Sequence, residues 1–466
     1  MPKKNAHSIS SYIRFRNSQS LDCRGSLIRL SRQQVVFEVY NPYSIVQLSE
    51  VLIDIRIHQG ERETYKGRGV VTGLLNTGLM LIVSASLVDP WSDLNGLKPG
   101  ETLRSFVHDF VSDWEACNER LQKPFQVCVG NLRNYLQELS RWLEHWEMEA
   151  GLQEMNASSD LQIEFVSDVD KEISPRLSAL YREFEDVSKD LPRLHLPFHR
   201  AFAQRELHPL MMCSPFMHRA FTKPLGYAGD FEMVRMMLSE PWEGKNTFAK
   251  LLNASALRHE APAAHRNRIH LLQQALKRET VRCVANGEKR VRILNIGCGP
   301  AVEIRDFAKA DPVSSHAEFQ LVDFNTDTLD HVRQNLIPEV LRLRPEMKVV
   351  TEQRSVHEII QSSVEGKAEA LEEYDMVYCA GLFDYFRDTT CGYLLKLFYS
   401  WVKPGGLVLV TNVTPTHSSV AIMGMVLEWA LELRSEKSML DLAPEIGRQE
   451  TYLDQTGVNV FLEIRK

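Results

Sequence analysis

VRILNIGCGPAVEIRDFA (291–308) and FQLVDFNTDTLDHV (319–332) decide how the C-terminal half of this 466-residue chain is read. They spell an apolar strand, a glycine turn, a helix around Ala301 to Lys309, and a second apolar strand that ends on Asp323. A doubly wound α/β sheet builds a nucleoside pocket from these parts. Gly297 and Gly299 can take backbone angles closed to other residues and let a ligand approach the main chain. The helix that follows offers unpaired N–H groups to an anion. Asp323, at the carboxyl end of the next strand, is placed to hold two ribose hydroxyls, and its distance from the turn fits the roughly 20 residues expected.

A dinucleotide turn would carry a third glycine, but the run is Gly297-Cys298-Gly299-Pro300-Ala301-Val302, with Pro300 suited to a first helical turn. IGCGPAVE resembles motif I of class I S-adenosylmethionine (SAM) methyltransferases. Further landmarks follow in the same order. YDMVY (374–378) is an apolar strand that runs into CAGLFDYF (379–386), then a helical stretch reaches Trp401. VKPGGLVLVTNV (402–413) resembles the hairpin-side signature of that fold. The resemblance implies a Rossmann-like, mainly parallel sheet with S-adenosyl-L-methionine as cofactor. It implies cofactor contacts from Gly297, Cys298, Gly299, Pro300, Ala301, Asp323 and Phe324, with Ser355 near the adenine edge and Ala380 and Gly381 after the fourth strand. Another nucleotide on a related sheet, or a copy that no longer turns over, stays open. Asn295 stands where an acid often precedes the glycines, and Ala301 replaces the third glycine.

The length suits two or three domains. The content of 44% hydrophobic and 25% charged residues is ordinary for a globular protein. A net charge of −7 gives no electrostatic footprint for nucleic acid. The eight cysteines make no C-x-x-C or zinc spacing, so reduced thiols in a cytoplasmic protein are expected, with no metal. No run of about 18 apolar residues predicts a membrane span.

Residues 11 to 90 carry β-branched runs, QVVFEVYN, EVLIDIRIHQ, RGVVTGLL and GLMLIVSASL, broken by turn residues. They predict a small antiparallel barrel over 1–100 that loosely resembles a PilZ domain. Arg14-Phe15-Arg16 and Asp22-Cys23-Arg24-Gly25-Ser26 lack the family's cyclic di-GMP spacing, so that ligand is not expected. Residues 101 to 200 switch to helical periodicity and predict a bundle or a homodimer interface. Trp114, Trp142 and Trp146 fall on its apolar stripes as packing residues, and 153–160 reads as a loop. Residues 201–466 form the catalytic domain, with less regular leading segments, chiefly 215–275, as its lid.

Within that lid, KPLGYAGD (223–230) is turn-rich. Tyr227 and Asp230 are candidates to orient cofactor or substrate, while Asp230 could equally cap the next helix. Arg266 and Arg268 offer guanidinium forks for the methionine carboxylate or an acidic acceptor. Asp384 and Tyr385, past the fourth strand, are acceptor-side candidates, grouped with Tyr227 as catalytic. Cys298 and Cys379 read as small pocket-lining residues. His195, His199, His208 and His218 cluster, but Pro197 interrupts a helical metal spacing.

From GYAGDFE to FLEIRK the chain resembles bacterial 3-hydroxypalmitic acid methyl ester biosynthesis enzymes. KPLGYAGDFEM, HRNRIHLL, ILNIGCGPAVEI, GLFDYF, VKPGGLVLVTNV and EWALELRSEKSML carry that resemblance. It implies O-methylation of a fatty-acid carboxylate to make a diffusible signal. A methyltransferase acting on protein or another small molecule, or a SAM-binding regulator with a sensor barrel, are the competing readings.

Overall fold

The computed structural model describes residues 11–40, 46–59, 62–76, 80–89, 107–108, 111–112, 114–115, 118–149, 160–366 and 373–466. Six strands come first: β1 (Ser11–Arg16), β2 (Asp22–Leu30), β3 (Gln34–Tyr40), β4 (Val51–Gln59), β5 (Arg62–Asn76) and β6 (Met80–Leu87). Helices α1 (Lys123–Glu149), α2 (Asp160–Lys189), α3 (Leu196–Met211), α4 (Pro215–Thr222), α5 (Phe231–Leu238), α6 (Thr247–Arg258) and α7 (Glu260–Ala285) follow. Then come β7 (Val291–Ile296), α8 (Val302–Ala310), β8 (Ala317–Asp323) and α9 (Thr326–His331), which continues through a π turn into α10 (Ile337–Leu343). The chain ends with β9 (Lys348–Gln353), α11 (Val356–Val364), β10 (Tyr374–Cys379), α12 (Asp388–Trp401), β11 (Val402–Val413), α13 (Glu436–Leu440), β12 (Arg448–Leu453) and β13 (Asn459–Arg465). They divide into two compact units.

The first unit comprises Met1–Ala228, Trp242–Asn253 and Ala421–Ala430. Its strands close a barrel in the order β1-β2-β3-β6-β5-β4, every pair antiparallel. The small antiparallel barrel expected from the β-branched runs is therefore present. Strand alternation sends Ile13, Phe15, Val35, Phe37, Ile55, Ile57, Val83 and Ala85 inward, with the Phe15 and Phe37 rings 5.2 Å apart. The loop KPLGYAGD is partly spent on this barrel: the Gly226 carbonyl accepts the Val51 N–H at 2.8 Å.

The helical periodicity is realised in α1 and α2, where Trp146 stacks on Phe165 at 3.7 Å. The other two tryptophans correct the packing expectation: Trp142 is 53% exposed and Trp114 57%. The buried stripe of α1 is Phe125, Val129, Leu132, Leu136, Leu139 and Leu143, which leaves Trp142 on its flank. The expected loop at 153–160 lies outside the described residues except Asp160, which opens α2. Residues 193–285, read as less regular, are mostly helical, because their short helices carry their own caps, such as Ser214 accepting from Met217 N. His199 is a satisfied core residue: Nε2 accepts the Gln122 N–H at 3.0 Å and Nδ1 lies 2.9 Å from the His195 carbonyl. No cluster of three or more His, Cys, Asp or Glu side chains placed to hold a metal ion occurs among the described residues.

The second unit comprises Gly229–Pro241, Ala254–Val420 and Leu431–Lys466. Its sheet runs β12-β13-β11-β10-β7-β8-β9, parallel except for the C-terminal hairpin, in which β13 is antiparallel to both neighbours. This is the expected α/β class, a Rossmann-like, mainly parallel sheet. Strand order reverses between β7 and β10, so the crevice outside their carboxyl ends is the switch point where such sheets hold ligands. The core packs α7 and α8 residues such as Leu272, Leu276, Ile304 and Phe307 against Ile293, Phe319, Met376 and Leu409.

Helix α7 is anchored at its far end. Arg465 of β13 donates two bonds, 2.6 and 2.7 Å, to the buried Glu279 carboxylate, and Arg282 adds a third at 2.8 Å. Burial pushes the Glu279 pKa up, but these bonds outweigh it and hold the group at about 2. The folded value lies below the unfolded one, so the stabilisation is complete above the ordinary carboxylate range and fades as pH falls toward 2. Glu279→Gln is expected to cost about 3 kcal/mol at neutral pH in urea melts, with the gap from the parent closing in acid.

Candidate functional site

The site assembles at the carboxyl edge of β7, β8 and β10. After β7, the N–H groups of Gly297 and Cys298 both bond the Val322 carbonyl, at 2.8 and 3.0 Å, which ties the turn to the end of β8. Gly299 has φ +53°, and nothing lies within 4 Å of where its Cβ would be, so its backbone faces open space. Pro300 falls in a turn closed by the Ala301 N–H on the Cys298 carbonyl (3.2 Å). The helix therefore starts one residue later than expected, at Val302, with Ala301 as a left-handed N-cap lacking a side-chain bond.

Asp323 ends β8 beside this turn. Its Oδ2 accepts the Gly299 N–H at 3.1 Å and its Oδ1 the Asn325 N–H at 3.0 Å. Burial pushes its pKa up to about 6 against the pull of these donors. Phe324 follows it, and the Asp323 carbonyl accepts the Arg354 N–H.

Under the turn lies a buried polar network that sequence reasoning missed. Tyr378 donates to Glu303 Oε1 at 2.7 Å, and the Asn295 amide reaches both Tyr378 (2.9 Å) and Glu303 (3.3 Å). Burial raises the Glu303 pKa. Asn295, read as a departure from the acid that often precedes the glycines, links strands β7 and β10 to the first turn of α8. The available signal was polar residues inside VRILNI and YDMVYC, since a buried polar group demands partners.

Arg268, on α7, is 9% exposed, and its Nη2 lies 2.5 Å from His265 Nδ1. His265 is therefore the acceptor and is held neutral, with its pKa well below the usual range chiefly through burial. Arg268 has no ion pair with a carboxylate among the described residues, although Asp384, Tyr385 and Glu303 act on it electrostatically. Gly381, at φ +84°, is required here: a Cβ would sit 3.0 Å from both Nη atoms of Arg268. Ala380 is partly buried against the core above Cys379. Burial drives the thiols of Cys298 and Cys379 far up, which suits pocket-lining residues rather than nucleophiles.

Asp384 is buried, and its Oδ1 accepts the Val413 N–H at 2.6 Å, which pins the loop after β10 to the end of β11. Arg434 holds the same loop through the Phe383 and Phe386 carbonyls at 2.8 and 2.6 Å. Tyr385 lies in the short 3-10 turn Phe383–Tyr385.

Three sequence candidates serve helix ends. Arg266 donates to the Met237 carbonyl at 3.0 Å and the Leu257 carbonyl at 3.2 Å, so it ties off the ends of α5 and α6. Asp230 caps α5 through Met233 N. Ser355 is the N-cap of α11 in a reciprocal capping box with Glu358, legible as S-x-x-E in SVHE. Ser355→Ala is expected to cost about 1 kcal/mol of stability in thermal melts. Tyr227 belongs to the first compact unit.

No family model and no curated protein match the chain. Among solved structures, it is similar to a possible exported protein from Bordetella parapertussis (16% identity, 66% of this chain and 99% of that one, TM-score 0.40). It is also similar to magnesium protoporphyrin IX methyltransferase from Synechocystis PCC 6803 with bound SAH (12% identity, 44% and 87%, TM-score 0.32). A third is an O-methyltransferase family protein from Burkholderia thailandensis (15% identity, 46% and 62%, TM-score 0.32).

Proposed function

We propose that this chain is a SAM-dependent methyltransferase that O-methylates the carboxylate of a fatty acid or similar small acid, with a 3-hydroxy fatty acid as the first acceptor to try. The observation that carries this reading is the pair of buried charges at the switch point: Asp323 ending β8 and, beside Gly381, Arg268 without a carboxylate partner among the described residues. These residues fit SAM. Asp323 would accept the ribose hydroxyls, the open backbone at Gly299 would admit the nucleoside, and Arg268 would take the methionine carboxylate.

Bound SAM supplies a sulfonium methyl, which passes to a carboxylate oxygen while the S–C electron pair stays on sulfur. The acceptor is ionised near neutral pH, so no general base is required. The protein's task is alignment and exclusion of water. Asp384, through Val413 N, and Arg434 hold the loop 383–386 still, and Tyr385 on that loop would shape the acceptor side. On this reading the protein works in the cytoplasm with a PilZ-like accessory barrel that does not take cyclic di-GMP. No helix among the described residues is long and apolar enough to cross a membrane.

The test is calorimetric titration with SAM, then transfer of labelled methyl to 3-hydroxy and unsubstituted fatty acids. SAM binding with labelled ester supports the proposal. SAM binding without ester moves the acceptor to protein or another metabolite. Absence of binding overturns it.

A further inference from the structure

The register of the barrel places four cations side by side. Arg24 of β2 lies opposite Arg14 of β1, Arg14 lies opposite Arg56 of β4, and Arg56 lies opposite Lys66 of β5. All four side chains are exposed, because their neighbours Ile13, Phe15, Ile55, Ile57 and Tyr65 turn inward. With strands about 4.8 Å apart, the row spans about 15 Å. Like charges directly opposite one another destabilise a sheet. Arg56 is partly neutralised by Asp54 at 3.2 Å, and the nearby Arg16 by Asp22 at 3.0 Å. Arg14, Arg24 and Lys66 have no carboxylate partner among the described residues; Arg14 and Arg24 lie 5.5 and 4.3 Å from the Tyr12 ring centroid, which leaves their charge uncompensated.

We propose that this face of the barrel docks on an anionic lipid surface, with the cation row lying on the phosphate headgroups. Three observations select a lipid surface over other anions. The charges are spread across four strands of a barrel exterior rather than gathered into a pocket, which suits many headgroups better than one small phosphate. Large apolar side chains stand exposed on the adjoining strands, Ile28 of β2 at 54% and Tyr40 of β3 at 55%. The aromatic ring beside the row on β1 offers no free stacking platform for a nucleic-acid base: Tyr12 is stacked on His58 at 4.7 Å and carries the Arg24 guanidinium 4.3 Å from its centroid. The proposal does not depend on the methyl-transfer reading. It would bring the protein to the surface where long-chain acids partition.

The experiment is co-sedimentation of the full chain with vesicles of phosphatidylcholine alone and of phosphatidylcholine with phosphatidylglycerol, at low and high salt. Binding is expected only to the mixed vesicles and should fall as salt screens the charges. Each of Arg14→Gln, Arg24→Gln and Lys66→Gln should lower the partition coefficient about fivefold. Because the row is repulsive, these variants should melt no lower than the parent. Arg141→Gln, on the exposed flank of α1, should bind as the parent does. Equal binding to both vesicle types, binding to neither, or a triple variant that sediments like the parent overturns the proposal. So does displacement from the mixed vesicles by an equal phosphate concentration of single-stranded DNA, which would assign the row to nucleic acid.

Discussion

Asp323→Ala should weaken SAM binding by at least about a hundredfold, and calorimetry on the folded variant is the measurement. A buried carboxylate that accepts two hydroxyls makes two charge-assisted bonds, each contributing about 1.5–3 kcal/mol. Asp323 is already oriented, since Gly299 N–H and Asn325 N–H hold one oxygen each and fix the plane of the group. The pH dependence has a definite sign. Burial places the pKa at about 6, and only the ionised form offers acceptors to both hydroxyls. Affinity of the parent should therefore be flat above that value and fall about tenfold per unit below it. Asp323→Asn, which does not titrate, should show weak affinity without that fall. A parent profile flat through pH 6, or an alanine variant with parental affinity, would remove Asp323 from the site.

Most of the sheet was legible because its strands are nearly continuous apolar runs set off by glycine and proline. IGCGP marks a turn that few other sequences could make, whereas KPGG, expected as a turn, lies inside β11 where the register shifts between Val402 and Leu407. The barrel's last four strands were readable for a related reason, their β-branched alternation. β1 and β2 were harder, since Arg14, Arg16, Arg24 and Arg29 dilute the pattern with outward charges. The site residues divide along physical lines. Backbone-defined features, the turn and the acid at the strand end, follow from local sequence. Side-chain placement on α7 does not, because Arg266 and Arg268 are indistinguishable until helix phase and neighbours are known. SVHE and GDFEM show the opposite case: the capping role is written in the spacing, and Ser355 and Asp230 each cap the helix that follows.

Arg268 supplies the other large effect. Arg268→Ala should cost SAM affinity about a hundredfold, the value of a bidentate charge-assisted contact of about 3 kcal/mol. Decarboxylated SAM should bind parent and variant alike, because it lacks the group that Arg268 would grip. This comparison separates recognition from folding, which matters because Arg268 is buried near Asp384, and its loss leaves that carboxylate less compensated. Asp384→Asn in the Arg268→Ala background should restore melting temperature without restoring SAM affinity. Arg266→Ala is the natural contrast. Among the described residues its guanidinium bonds only helix-end carbonyls, so its loss should lower the melting temperature and leave both ligands' affinities as they were. If Arg268→Ala instead weakens SAM and its decarboxylated analogue equally, the guanidinium does not read the methionine carboxylate. If SAM affinity is unchanged and KM for the fatty acid rises, Arg268 instead belongs to the acceptor's carboxylate, where one guanidinium beside the glycine turn of Gly381 would position the attacking oxygen.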